Sequence, residues 1–233
     1  MISFFLVFFL EYTPQQDLEL KQRIAQTRKG SNATLARKQL TDKHMKIVAE
    51  ELISTKQCRE LELNTNQITA DGASILAGAL CNNTTLISLK LYDNKIGDKG
   101  VIAFTEVLKS KNAVLEIFDI GLNETTNDIA LYIAEMLKTN KTLTQLLLSE
   151  SNIRDDGVKQ LASVLETTNT TLKYLKLSDN KSVTDSSVNS LITMIKQNRS
   201  LEMLDLRYCD LSEVSKENLH AAIKSRKRMT VWV

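Results

Sequence analysis

Proline occurs once in this 233-residue chain, tryptophan once, histidine twice and cysteine three times. A single proline suits a chain with few irregular loops. Cys58, Cys81 and Cys209 are odd in number and include no close pair, which argues against a disulfide framework and for a reducing compartment. No Cys/His group has zinc spacing, so no metal or cofactor is expected. Charge of one sign is not in excess. The formal net charge is +2, which gives no polyelectrolyte signal, and nucleic acid is not an expected partner. The one long apolar run is MISFFLVFFL at residues 1–10. As a helix it reaches about 15 Å, half a hydrocarbon core. It lacks the basic start and small-residue cleavage site of a secretory signal. It is read as a local apolar segment, with no stable membrane span expected. A Gly-rich phosphate loop is missing too: Gly97 and Gly100 open a helix without the required spacing or Lys-Ser/Thr ending.

What is present is a phrase that recurs. Leu86, Leu89, Leu91, Asn94 and Ile96 form its clearest copy. Cys58, Leu61, Leu63, Asn66 and Ile68 stand upstream; Leu115, Phe118, Ile120 and Asn123 follow, then Leu143, Leu146, Leu148, Ser151 and Ile153. The last two are Leu172, Leu175, Leu177, Asn180 and Leu201, Leu204, Leu206, Cys209, Leu211. The turn column Asn66, Asn94, Asn123, Ser151, Asn180, Cys209 steps by 28, 29, 28, 29 and 29 residues. Alternate leucines put two side chains on one face of a short strand. The Asn that follows ends the strand and bonds backbone groups of the turn; Ser151 and Cys209 are expected to do this less well.

Between these phrases runs a second apolar pattern at helical spacing: Gly72, Leu76, Leu80; Gly100, Phe104, Leu108; Ile129, Ile133, Leu137; Gly157, Leu161, Leu165; Leu191, Ile195; Leu219, Ile223. Asn-rich turns at Asn82-Asn83, Asn140, Asn169 and Asn198 mark the helix ends. One unit is therefore strand, turn, helix, turn. It buries its apolar edge only by stacking on neighbours. The expected fold is an α/β solenoid, an arc with parallel strands on the concave side and helices on the convex side.

The units resemble leucine-rich repeats of the ribonuclease-inhibitor-like subtype, and also those of NOD-like receptors and of the GTPase-activating protein for Ran. The resemblance covers roughly residues 40 to 233. The expected organisation is an apolar segment at 1–10, a basic helical flank or linker at 11–39, an N-terminal capping half-repeat at 40–57, six repeats at 58–223 and a C-terminal cap at 224–233. Met229 and Trp232 fall where a seventh strand begins. The basic run Lys224, Arg226, Lys227, Arg228 beside that cap is read as solvated.

Catalytic chemistry finds little footing. His44 and His220 lie six units apart, each read as a helix-surface residue, and neither makes an orienting set with a cysteine. Asp155 and Asp156 are read as helix N-terminal charges. The chain is expected not to be an enzyme. What remains is the concave wall, where residues flanking the strand leucines project: Glu60, Glu62, Asn64, Thr65; Ser88, Lys90, Tyr92, Asp93; Ile117, Asp119, Gly121, Leu122; Gln145, Leu147, Ser149, Glu150; Tyr174, Lys176, Ser178, Asp179; Met203, Asp205, Arg207, Tyr208. Seven are acidic and three basic. Apolar and aromatic residues gathered on one face point to a protein partner, one with a basic patch. The expected contacts are Glu62, Lys90, Tyr92, Asp119, Leu147, Tyr174, Lys176, Asp205, Arg207 and Tyr208. The function expected is a non-catalytic protein-binding scaffold; regulation of a small GTPase is the alternative that the resemblance implies. Asn-X-Ser/Thr sequons stand at Asn32, Asn82, Asn83, Asn123, Asn140, Asn169, Asn180 and Asn198. They are read as products of the turns' need for Asn and Thr, and the protein as cytoplasmic.

Overall fold

A computed structural model describes residues 14–109, 114–224, 226 and 228–233; the apolar run at 1–10 lies outside them. Strands and helices alternate along the chain. They are α1 (Pro14–Gln26), β1 (Ala33–Thr34), α2 (Asp42–Ile47, continued by a π-helical stretch Val48–Thr55), β2 (Glu60–Glu62), α3 (Ala70–Leu80), β3 (Ser88–Lys90) and α4 (Gly97–Leu108). Then come β4 (Ile117–Asp119), α5 (Ile129–Thr139), β5 (Gln145–Leu147), α6 (Asp155–Thr167), β6 (Tyr174–Lys176), α7 (Val188–Gln197), β7 (Met203–Asp205), α8 (Glu213–Ile223) and β8 (Thr230–Trp232). The eight strands form one parallel sheet in sequence order. That order is the α/β solenoid the period implies.

Each strand is three residues or fewer, so its stability comes from stacking. The central residues Leu61, Leu89, Phe118, Leu146, Leu175, Leu204 and Val231 are in register and buried. The helix stripe meets them from the other side, with the Phe104 and Phe118 rings 5.2 Å apart and tilted. The buried residues form one cluster from Leu20 to Val231.

Asparagine columns hold the turns. Asn123 is buried; its Nδ2 donates to the carbonyls of Leu91 at 2.9 Å, Ile120 at 3.0 Å and Gly121 at 2.9 Å, and its Oδ1 accepts from Ile96 N. Asn66, Asn94 and Asn180 likewise donate both to their own strand and to the preceding repeat. Ser151 Oγ reaches only Ser149 O, and Cys209 Sγ makes one 3.4 Å contact with Leu177 O. A second column stands at the helix-to-strand turns. Asn140, Asn169 and Asn198 donate to Leu108 O, Leu137 O and Leu165 O of the preceding helices. Arg226 takes the next place: its guanidinium donates to the carbonyls of Ile195, Asn198 and Leu201. The basic run is thus not simply solvated. One of its members closes a hydrogen-bond ladder that has no further Asn.

A third set joins helix starts. Thr69 donates through its N–H and Oγ1 to Asp42, Thr126 does so to Asp98, and Thr184 to Asp155. Each carboxylate satisfies donors at the entrance of the next helix, where the helix dipole favours negative charge. Gly72 N also donates to Asp42, and a Cβ at Gly72 would collide with that oxygen.

The ends depart from expectation. The flank at 11–39 is no free linker in its described part: α1 ends at Gln26, buries Leu20 and Ile24 against the stack, and is followed by β1 paired to β2. Burial of two large apolar side chains is the reason. His44 is buried rather than on a helix surface. Its Nδ1 accepts from Thr41 N at 2.9 Å, and its Nε2 lies 3.7 Å from an Asp17 oxygen. At the other end Val231, not Met229 or Trp232, takes the strand-centre position opposite Leu204.

Asn123→Ala strands the buried carbonyls of Leu91 and Ile120 and the Ile96 N–H, while Gly121 O keeps the Asp93 N–H, and is expected to lower stability by about 2–4 kcal/mol. Cys209→Ala, with one weak bond to lose, is expected to cost under about 1 kcal/mol. Urea denaturation distinguishes them. Arg226→Met is expected to speed amide exchange at Thr230–Trp232 while leaving β2 to β4 protected, as local opening at a solenoid end requires.

Candidate functional site

The sheet presents its inward face as columns set by register. Through the last strand residue runs Glu62, Lys90, Asp119, Leu147, Lys176, Asp205, Trp232; through the first runs Glu60, Ser88, Ile117, Gln145, Tyr174, Met203, Thr230. Neighbours in a column are about 4.8 Å apart. At the turn edge Thr65, Asp93, Leu122, Glu150, Asp179 and Tyr208 all have positive φ, from 49° to 63°. Left-handed backbone in non-glycine residues is costly one at a time. Here it recurs beside each member of the turn column.

Two arrangements emerge on this wall. In the first, Tyr92 leans across the next repeat and donates from its hydroxyl to Glu150 Oε1 at 2.5 Å, two repeats away. Gly121 makes room for it, since a Cβ there would sit 3.1 Å from Tyr92 Cδ2 and 2.6 Å from Ser149 O. Burial pushes the Tyr92 hydroxyl well above its ordinary pKa, helped by the bond to Glu150 and the charges of Glu150, Asp93 and Asp119. Asp119 is also pushed up by burial, against the pull of the Gly121 N–H, Lys176 and Lys90.

The second arrangement lies at the C-terminal end. Asp205 is 0% exposed and accepts two side-chain bonds from Arg207, at 2.9 and 2.7 Å. Burial raises its pKa, yet the Arg207 bonds and charge outweigh that and hold it below the ordinary carboxylate value. The guanidinium so fixed lies 4.5 Å over the Trp232 ring. Tyr208 is 68% exposed beside it, with Lys181 Nζ 5.5 Å from its ring centre and bonded to its carbonyl. Tyr174 is half-buried, and its hydroxyl pKa is raised first by burial and then by the charge of Asp205.

The ten expected contact residues therefore do not stand alike. Glu62, Lys90, Asp119, Leu147, Tyr174 and Lys176 are half-buried on the strands, while Arg207 and Tyr208 are exposed. Tyr92 is committed to Glu150. Asp205 is a correction: it lies beneath Arg207 and offers no surface, because a buried carboxylate needs a bound partner. Ser88, Gly121, Ser149 and Ser178 also prove buried, Ser149 and Ser178 sharing a hydrogen bond between their hydroxyls. Trp232 joins the wall unforeseen; only a register two residues shorter at the last strand would have placed it.

Two of the thiols are too deeply placed to act as nucleophiles. Burial lifts Cys58 to about 11 and Cys209 to about 12. Among the described residues no three His, Cys, Asp or Glu side chains are grouped to hold a metal ion, and no helix is long and apolar enough to cross a membrane.

The leucine-rich repeat family model matches residues 82–104, 139–162 and 168–191. Ribonuclease inhibitor of Sus scrofa is 36% identical over 139 residues, 60% of this chain and 30% of that protein. The chain is a stack of leucine-rich repeats similar to those of ribonuclease inhibitor. Its repeats also resemble those of NACHT, LRR and PYD domains-containing protein 3 of Bos taurus, at 32% identity over 63% of this chain and 14% of that one. The chain spans about a third or less of the curated relatives it matches. Among solved structures, leiomodin-1 actin-binding site 2 aligns over 80% of this chain and 89% of that one at 18% identity, with a TM-score of 0.42. That likeness is too loose to bear on function.

The repeats' charge pattern makes one pH effect accessible. Because folding raises the Asp119 pKa, its charge opposes the fold at neutral pH; below the unfolded value near about 4 the group is neutral in both states. Asp119→Asn is expected to raise the urea midpoint at pH 7, and the gain is expected to vanish below about pH 4.

Proposed function

We propose that this chain is a non-catalytic scaffold that binds a protein partner through its concave face. The observation that carries the reading is the C-terminal cluster of Tyr174, Met203 and Trp232 on three adjacent strands with Arg207 and Tyr208 in the turn after β7, Arg207 being stacked on Trp232 and tied from below by Asp205. Tyr, Trp and Arg are the residues that dominate binding energy when held rigidly and then desolvated by a partner. A preformed wall loses little ordering entropy on association. The relative named ribonuclease inhibitor is a protein that acts on another protein, which supports the same use here. Asp93, Glu150 and Asp179 at the turn edge favour a partner with a basic patch, through steering more than through affinity. We place the protein in the cytoplasm, in keeping with three cysteines that are all free thiols. The GTPase-regulator reading has no observation in its favour.

The test is a titration. A partner recovered from the source cell with the wild-type chain is measured against that chain and against a variant carrying Leu147→Ala, Tyr174→Ala, Tyr208→Ala and Trp232→Ala. Affinity is expected to fall about 100-fold or more, given roughly 1 kcal/mol or more for each truncated anchor. Unchanged affinity with retained folding overturns the concave-face reading. Accelerated GTP hydrolysis by a small GTPase mixed with the chain would favour the alternative instead.

A further inference from the structure

Eight sequons in 233 residues would ordinarily mark a glycosylated surface. The structure assigns most of them the opposite role. Asn123, Asn140, Asn169, Asn180 and Asn198 are all buried. Each uses its side-chain amide as a rung between repeats. Asn180 Nδ2 donates to Leu148 O at 2.8 Å and Leu177 O at 2.9 Å; Asn169 Nδ2 donates to Leu137 O at 2.9 Å and Asn140 O at 3.2 Å; Asn198 Nδ2 donates to Leu165 O at 2.6 Å and Asn169 O at 3.1 Å. Their Oδ1 atoms accept from the backbone, as when Asn140 takes Thr142 N and Leu143 N. Asn83 is half-buried and is a rung as well, its Nδ2 donating to Ile53 O at 3.2 Å and its Oδ1 accepting from Thr85 N and Leu86 N; Asn32 and Asn82, by contrast, are exposed.

N-glycosylation acts on that same nitrogen. The amide nitrogen forms a bond to the anomeric carbon of an oligosaccharide, the bond from that carbon to a lipid pyrophosphate breaks, and one N–H proton leaves. A modified rung keeps one donor where two carbonyls need one each, and a bulky polar chain must be housed where no solvent reaches. We infer that the native fold and N-glycosylation are mutually exclusive at these five sequons, and that Asn32 and Asn82 are the acceptor sites the folded chain tolerates. The modification reaches extended chain during translocation, before distant repeats have stacked. A copy sent down that route is therefore trapped: sugars enter the asparagine columns and the repeats cannot close. The ladder thus ties this fold to a compartment without oligosaccharide transfer. This conclusion is independent of what the concave wall binds.

The experiment expresses the full chain in one glycosylating eukaryotic cell line in three ways: without a leader, behind a cleavable secretory leader, and behind that leader with lipid-linked sugar synthesis blocked. Occupancy at each sequon is read by peptide mass spectrometry, and folding by limited proteolysis. The expected result is a leaderless chain that is unmodified and protease-resistant. The leader-bearing chain is expected to be occupied at one or more of the five columns' sequons and cut as readily as denatured chain, with resistance restored under the block. A fourth arm keeps every column amide but removes the sequon hydroxyls with Thr85→Val, Thr125→Val, Thr142→Val, Thr171→Val, Ser182→Ala and Ser200→Ala, so that Asn83 is silenced with the five. It is expected to emerge folded, with sugar at Asn32 or Asn82. Protease-resistant chain carrying sugar at any of the five sites would overturn the inference. So would leader-bearing wild-type chain that folds with all five unmodified, or chain that stays protease-sensitive when sugar synthesis is blocked.

Discussion

The side-chain amide of asparagine is the part on which this molecule depends. Strands of three residues and short turns leave many backbone carbonyls facing inward, away from water, and each needs a donor. One Asn in every 28 or 29 residues supplies two donors and an acceptor to the space between repeats. Asn66, Asn94, Asn123 and Asn180 do this at one edge of the sheet, and Asn140, Asn169 and Asn198 do it at the other. Apolar stacking supplies most of the stabilisation, but it is not directional. The amide bonds fix the spacing and register that make the strand wall rigid.

Rigidity in turn gives the wall its chemistry. A flexible surface would let Arg207 point anywhere; here Asp205 pins it from beneath and Trp232 flanks it. Tyr92 spans two repeats because Gly121 leaves a floor low enough to cross. The acidic excess on the inward face is therefore not one uniform field. Asp205 is paired with Arg207, Glu150 accepts from Tyr92, Asp179 lies 3.5 Å from Lys181, and Asp93 stands at the turn edge. The wall becomes a set of fixed anchors and a charged rim.

Much of the fold was legible in the residues. The strand leucines, the turn column and the helix stripe follow from a period that every internal repeat obeys, and interior rungs have the same neighbours above and below. The ends were harder. His44, the α1–β1 layer, the Val231 register and Arg226 all lie in layers that break the repeat's pattern, where a different residue satisfies the same need. Arg226 replaces an Asn because its fork of N–H donors reaches three carbonyls at once. Its place 28 residues after Asn198 was the only hint.

By itself the sequence determined the architecture: a repeated apolar spacing has one way to bury itself, and that way is a stack of strand-and-helix units. It also determined which side chains alternate toward the inner face, since strand geometry leaves no choice. Only the tertiary structure decided which of those side chains remain available. Availability depends on residues one or two repeats away, 29 to 58 positions along the chain. Tyr92 was claimed by Glu150, and Trp232 arrived from the last strand to lie against Arg207. Short-range pattern fixes direction; contact across repeats fixes exposure.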